Sequence, residues 1–85
     1  MNNIKLYGAD WCGDSRRTRR HLESLGVPYD YINVDNDEAA EFWIKKQNNG
    51  KRQTPTLDMD GKVLIEPTDA ELDQALKQQG VITGD

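Results

Sequence analysis

Cys12 is the only cysteine in the chain, so it cannot close an internal disulfide or supply most of a metal site. It lies in Trp11-Cys12-Gly13-Asp14-Ser15, where a short apolar run closed by Gly8 hands over to a segment rich in arginine. A thiol at the start of a helix becomes acidic, because unpaired backbone N–H groups and the helix dipole favour the thiolate. Such a thiol is a nucleophile toward disulfides. Ser15 follows one helical turn later, where its hydroxyl could donate to the thiolate but could not resolve a trapped disulfide. Asp10 and Asp14 oppose ionisation by their charge. The donors aim at sulfur while both carboxylates are free to turn away, so Cys12 is expected to ionise in roughly the 3.5–7.5 range. A free cysteine is often just a small buried hydrophobe; the flanking residues weigh against that here.

Charge sharpens this reading. The chain has 15 acidic and 11 basic residues, a net charge of -4, which argues against a broad nucleic-acid surface. Four of its basic residues are Arg16, Arg17, Arg19 and Arg20, directly after the thiol. Such a run is usually a solvated face; Arg16 is the member expected to meet a substrate carboxylate. Trp11 is expected to wall a substrate groove, and Arg52 to contribute binding. His21 is expected to be exposed, Tyr7 to lie in the core, and Phe42 and Trp43 to belong to the core or to a helix surface. Asp69 could cap a helix, bind a ligand amine, or do both.

These residues need elements to hold them. Ile4 to Tyr7 reads as a buried strand. A helix from about Gly13 to Leu25 carries Thr18, Leu22 and Leu25 as its buried stripe, with Gly26 as its stop. Tyr29 to Val34 alternates as a second strand. Asp37 to Gln47 forms a second helix, with Ala40, Trp43, Ile44 and Gln47 on one side. Thr56–Met59 and Lys62–Ile65 flank Asp60-Gly61, a hairpin signal. Thr68-Asp69-Ala70-Glu71 is a capping box that opens the last helix, with Leu72, Ala75 and Leu76 inward and Gly80 as its stop. The order β-α-β-α-β-β-α implies an α/β fold: a four-stranded mixed sheet flanked by three helices, the thioredoxin-like arrangement. Residues 1–85 are expected to form one domain, with no membrane span or signal segment. The lone free thiol suits a reducing, cytoplasmic setting.

Trp11-Cys12-Gly13-Asp14-Ser15 after the first strand, and Arg52-Gln53-Thr54-Pro55-Thr56 before the third, resemble a glutaredoxin. Asn49-Gly50-Lys51-Arg52, Asp60-Gly61 and Glu66-Pro67-Thr68-Asp69-Ala70-Glu71 place the resemblance nearest the mycoredoxin-like branch. It covers essentially the whole chain. It implies that Cys12 attacks a disulfide, that Pro55 follows a cis peptide bond facing the thiol, and that Thr54 pairs through its backbone with a bound thiol peptide. These roles carry over to Cys12, Thr54 and Pro55 alone; the residues' own positions and charges add Trp11, Gly13, Arg16, Arg52 and Asp69 to the expected thiol-binding groove, and Ser15 to the catalytic position. Three departures stand out. Ser15 replaces the resolving cysteine of C-x-x-C, Ala9 replaces a lysine of many glutathione-using members, and Glu66-Pro67-Thr68-Asp69 replaces a Gly-Gly-x-Asp segment.

The expected activity is thiol–disulfide exchange by a monothiol cycle, on mixed disulfides between proteins and a low-molecular-weight thiol. The co-substrate is glutathione or a mycothiol-like thiol, with no other cofactor and no metal. The partners are that small thiol and disulfide-bearing or S-thiolated proteins, with the chain acting as a monomer. Two other readings stay open: a [2Fe-2S] cluster carrier of the monothiol glutaredoxin type, and a non-catalytic thioredoxin-fold binding module. A natural monothiol site and a serine standing in for a resolving cysteine also read alike in a single sequence.

Overall fold

Side chains along the first strand alternate between two separate cores, and that alternation fixes where the helices pack. In the computed structural model, which describes residues 3–83, the elements are β1 (Ile4–Gly8), α1 (Gly13–Ser24), β2 (Asp30–Asn33), a 3-10 turn (Val34–Asn36), α2 (Glu38–Gln47), β3 (Thr56–Met59), β4 (Lys62–Ile65) and α3 (Asp69–Gln78). Ile4 and Leu6 join Leu57, Met59, Leu22 of α1 and Leu72, Ala75 and Leu76 of α3 in one cluster. Tyr7 points the other way, into a smaller cluster with Val34, Ala40 and Ile44. The sheet order is β2-β1-β3-β4, with β1 and β2 parallel and the other two pairs antiparallel. Helices α1 and α3 therefore cover one face of a mixed sheet and α2 the other, the architecture expected. No described helix is long and apolar enough to cross a membrane.

The helix ends follow local chemistry. Thr68 caps α3 with the full capping box to Glu71. Gly26 and Gly80, at φ 69° and 72°, each follow a helix C-cap. Val27 N–H then reaches back to the Leu22 carbonyl at 3.0 Å and Val81 N–H to that of Leu76 at 2.9 Å, satisfying carbonyls the helices leave open.

Several local expectations are corrected. The stripe of α1 is Ser15, Thr18 and Leu22; Leu25 is the C-cap, where the chain leaves the helix, and it is exposed. On α2, Gln47 is exposed, and the buried residue is Asn48, whose Nδ2 donates to the Ile44 carbonyl at 2.8 Å. The second strand is shorter than Tyr29–Val34 because the Asn33 side chain accepts the Asp35 N–H at 3.0 Å and turns the backbone out of the sheet. Tyr7 is in the core as expected, stacked on Trp43 at 4.5 Å between ring centroids. Phe42 is exposed.

Candidate active site

The thiol is positioned by a close approach between the end of β1 and the start of α1. A Cβ added at Gly8 would lie 2.8 Å from Ser15 Oγ, so only glycine lets the Ser15 side chain come this near the end of β1. Ser15 is fully buried in that contact, and its hydroxyl accepts the Ala9 N–H at 3.3 Å. Cys12 is the N-cap of α1, with extended backbone, which sets its sulfur at the start of the helix. There the neutral thiol donates to the Thr54 carbonyl across 3.7 Å. The Thr54–Pro55 peptide bond is cis, and Pro55 is buried.

The Cys12 thiol is held below its ordinary pKa. Partial burial pushes it up, but hydrogen bonds from the Ser15 hydroxyl, the Thr54 side chain and the backbone N–H groups of Ser15 and Asp14 together outweigh that. The two nearby carboxylates are engaged elsewhere. Asp10 accepts from the Tyr31 hydroxyl at 2.7 Å and from Asn33 Nδ2 at 3.3 Å. Burial and that bond to Asp10 push the Tyr31 phenol up to about 12, so it stays a donor. Asp14 faces Arg17 Nε at 3.7 Å.

The remaining expected site residues divide into two groups. Trp11, Gly13 and Arg16 share the loop and first turn around the thiol, and all three are exposed. Arg16 Nη1 donates to the Asp10 carbonyl at 2.9 Å, tying that loop down. A Cβ at Gly13 would meet nothing, so the space beside this glycine is open. Arg52 and Asp69, by contrast, are already paired. Arg52 binds Asp35 and, through Nε, Glu41 Oε2 at 3.0 Å. Asp69 does not cap α3, since Thr68 does; its carboxylate takes Arg17 Nη1 at 2.6 Å. His21 is not free in solvent either: its ring lies 2.7 Å from Asp73 and 3.8 Å from Asp69, on the seam between α1 and α3.

Sequence reasoning missed Asp35 and Arg17. Asp35 accepts the Trp11 indole N–H at 2.8 Å from 24 residues away, and Arg17 reaches Asp69 from 52 residues away. Neither pairing has a local spacing signal. Only the packing of β2 beside β1, and of α3 beside α1, brings the partners together.

Comparison with known proteins agrees with this geometry. The family model described as Glutaredoxin matches residues 4–64. The chain is 40% identical to Mycoredoxin 1 of Corynebacterium glutamicum over 73 residues, 85% of this chain and 90% of that protein. A crystal structure of a thioredoxin-like protein superposes with a TM-score of 0.79 at 26% identity, covering 91% of this chain and 97% of the other. The glutaredoxin of Archaeoglobus fulgidus, at 22% identity, gives a TM-score of 0.73 over 91% of this chain and 88% of its own.

Proposed function

The chain belongs to the glutaredoxin family and is a thiol–disulfide oxidoreductase with a thioredoxin-like fold, and from that premise we propose a monothiol enzyme that reduces mixed disulfides between proteins and a low-molecular-weight thiol. The observation that carries the proposal is the placement of the chain's single thiol at the N-cap of α1, facing Thr54, with a depressed pKa. In this reading the Cys12 thiolate attacks the small-thiol sulfur of the mixed disulfide. The protein sulfur leaves as a thiolate and takes a proton, and the small thiol stays on Cys12 in a new disulfide. A second small thiol, as thiolate, attacks that adduct, releasing the oxidised small-thiol dimer and regenerating the Cys12 thiolate. Ser15 takes no covalent part; its hydroxyl favours the thiolate in both half-reactions.

Trp11, Gly13, Arg16, Thr54 and Pro55 then form the groove for the small thiol. Arg52 and Asp69 flank it as charges already neutralised by Asp35 and Glu41 and by Arg17. Neutralised neighbours suit a thiol whose ends are hydroxyls and amides, as in mycothiol, better than one ending in a free ammonium and carboxylates, as in glutathione. Similarity to Mycoredoxin 1 supports the same preference. The enzyme acts as a single-domain monomer in a reducing compartment, the cytoplasm, where one free thiol persists.

The test is turnover of a peptide S-thiolated with mycothiol, in parallel with the glutathione form, each with its own thiol as reductant. Faster mycothiol turnover, lost in Cys12→Ser, is expected. Turnover retained in Cys12→Ser would remove the monothiol mechanism, and faster glutathione turnover would reverse the assignment of the thiol.

A further inference from the structure

Trp11 presents a paradox of energetics. Its side chain is 66% exposed, so burial does little to hold it, yet it stands beside the thiol where a wall of the groove must be fixed. Its one polar atom, Nε1–H, donates to Asp35 Oδ2 at 2.8 Å. The other oxygen of the same carboxylate takes the Arg52 guanidinium, and Arg52 Nε goes on to Glu41 of α2 at 3.0 Å. One carboxylate therefore joins the loop carrying Cys12 to the loop that leads, two residues beyond Arg52, to Thr54-Pro55.

Asp35 is itself held firmly. It occupies the middle of the 3-10 turn, with Val34 buried in the smaller core on one side. Its backbone N–H is bound by the Asn33 side chain at 3.0 Å. The Arg52 and Trp11 donors keep its carboxyl below the usual carboxylate range, so it remains an acceptor at neutral pH. A charged acceptor makes stronger hydrogen bonds than a neutral one.

We infer that Asp35 is a positioning residue for substrate binding: it orients the Trp11 indole and the Arg52 loop as the two walls of the groove across which Cys12 meets its disulfide. It touches neither sulfur nor substrate and acts through those two neighbours. This inference rests on the reading of the groove given under the proposed function. Losing it costs pre-organisation rather than chemistry, so binding suffers and the attacking thiol does not.

Two measurements separate the inference from that reading. The first needs no activity: the indole N–H resonance of Trp11, assigned by its absence in Trp11→Phe, is followed in Asp35→Ala and Asp35→Asn. Asp35→Ala is expected to shift that signal and speed its exchange with water, while Asp35→Asn, which keeps an acceptor oxygen, largely restores it. An unchanged signal in Asp35→Ala overturns the inference whatever the enzyme does. The second is steady-state kinetics on the S-thiolated peptide. Asp35→Ala is expected to raise KM about threefold to tenfold, the loss of one or two partly exposed charge-assisted bonds, with kcat and the Cys12 pKa little changed. In Trp11→Phe, which already lacks the indole donor, the same change is expected to cost less. A fall in kcat and thermal stability with KM unchanged would mark Asp35 as merely structural and overturn the inference. Absence of turnover in the unsubstituted protein would instead remove the functional reading and leave the resonance result to stand alone.

Discussion

Around Cys12, four donors compete against burial, and the balance favours the thiolate. Ser15 supplies the larger of the two side-chain contributions, and a conservative substitution removes it. Ser15→Ala is expected to raise the Cys12 pKa, measured by ultraviolet thiolate absorbance against pH, and to slow disulfide attack below the new value. The sign for stability follows from linkage. A thiol with a depressed folded pKa stabilises the fold fully above its ordinary value of 9.0, and that contribution disappears as pH falls through the folded value. The native protein should therefore gain stability from Cys12 as pH rises toward 9.0, and Ser15→Ala should gain less. Gly8 constrains the same group sterically. In Gly8→Ala the new methyl would meet Ser15 Oγ at 2.8 Å and Ser15 Cβ at 3.0 Å, and Ser15 is buried in a helix that cannot easily yield. A loss of about 1–3 kcal/mol in denaturant unfolding is expected, accompanied by a higher Cys12 pKa. The nucleophile and its hydroxyl neighbour were legible in the sequence because a turn of helix relates them. The Gly8 contact was not, because it forms between two elements.

At the scale of elements, chain ends and caps follow local rules and contacts between helices do not. The capping box at Thr68 and Glu71 was readable because both partners lie within one turn. Thr68→Ala removes the acceptor for the Glu71 N–H and is expected to cost about 1 kcal/mol in denaturant unfolding, with hydrogen exchange rising first in α3. The seam between α1 and α3 was not readable, for the opposite reason. His21 and Asp69 carry no signal for each other, and their meeting with Arg17 and Asp73 depends on both helices sharing one face of the sheet. These side chains keep roughly a fifth to nearly half of their surface in water, so the pairs fix orientation more than they add stability.

Across the whole molecule, the sheet divides the apolar residues into a larger core under α1 and α3 and a smaller one under α2. A domain of this size carries little reserve of stability. Leu22 is fully buried where α1 meets the larger core, so Leu22→Ala is expected to cost about 2–5 kcal/mol, read as a lower unfolding midpoint in urea. Because α1 also presents Cys12, that loss should lower the temperature at which activity fails before it changes the rate at low temperature.

The order of elements, the stops at Gly26 and Gly80, the capping box and the singular thiol were determined by the sequence itself. Each rests on residues within a few positions of one another, where backbone geometry leaves few choices. The tertiary structure alone decided that Cys12 faces Thr54 from 42 residues away and that Asp35 gathers Trp11 and Arg52. It also decided that Asp69 spends its charge on Arg17. With 15 acidic and 11 basic residues, many pairings are compatible with the same local pattern, and only the strand order β2-β1-β3-β4 and the faces the helices occupy select among them. Charge and hydrogen bonding act over a few ångströms in space, and sequence distance does not report that separation.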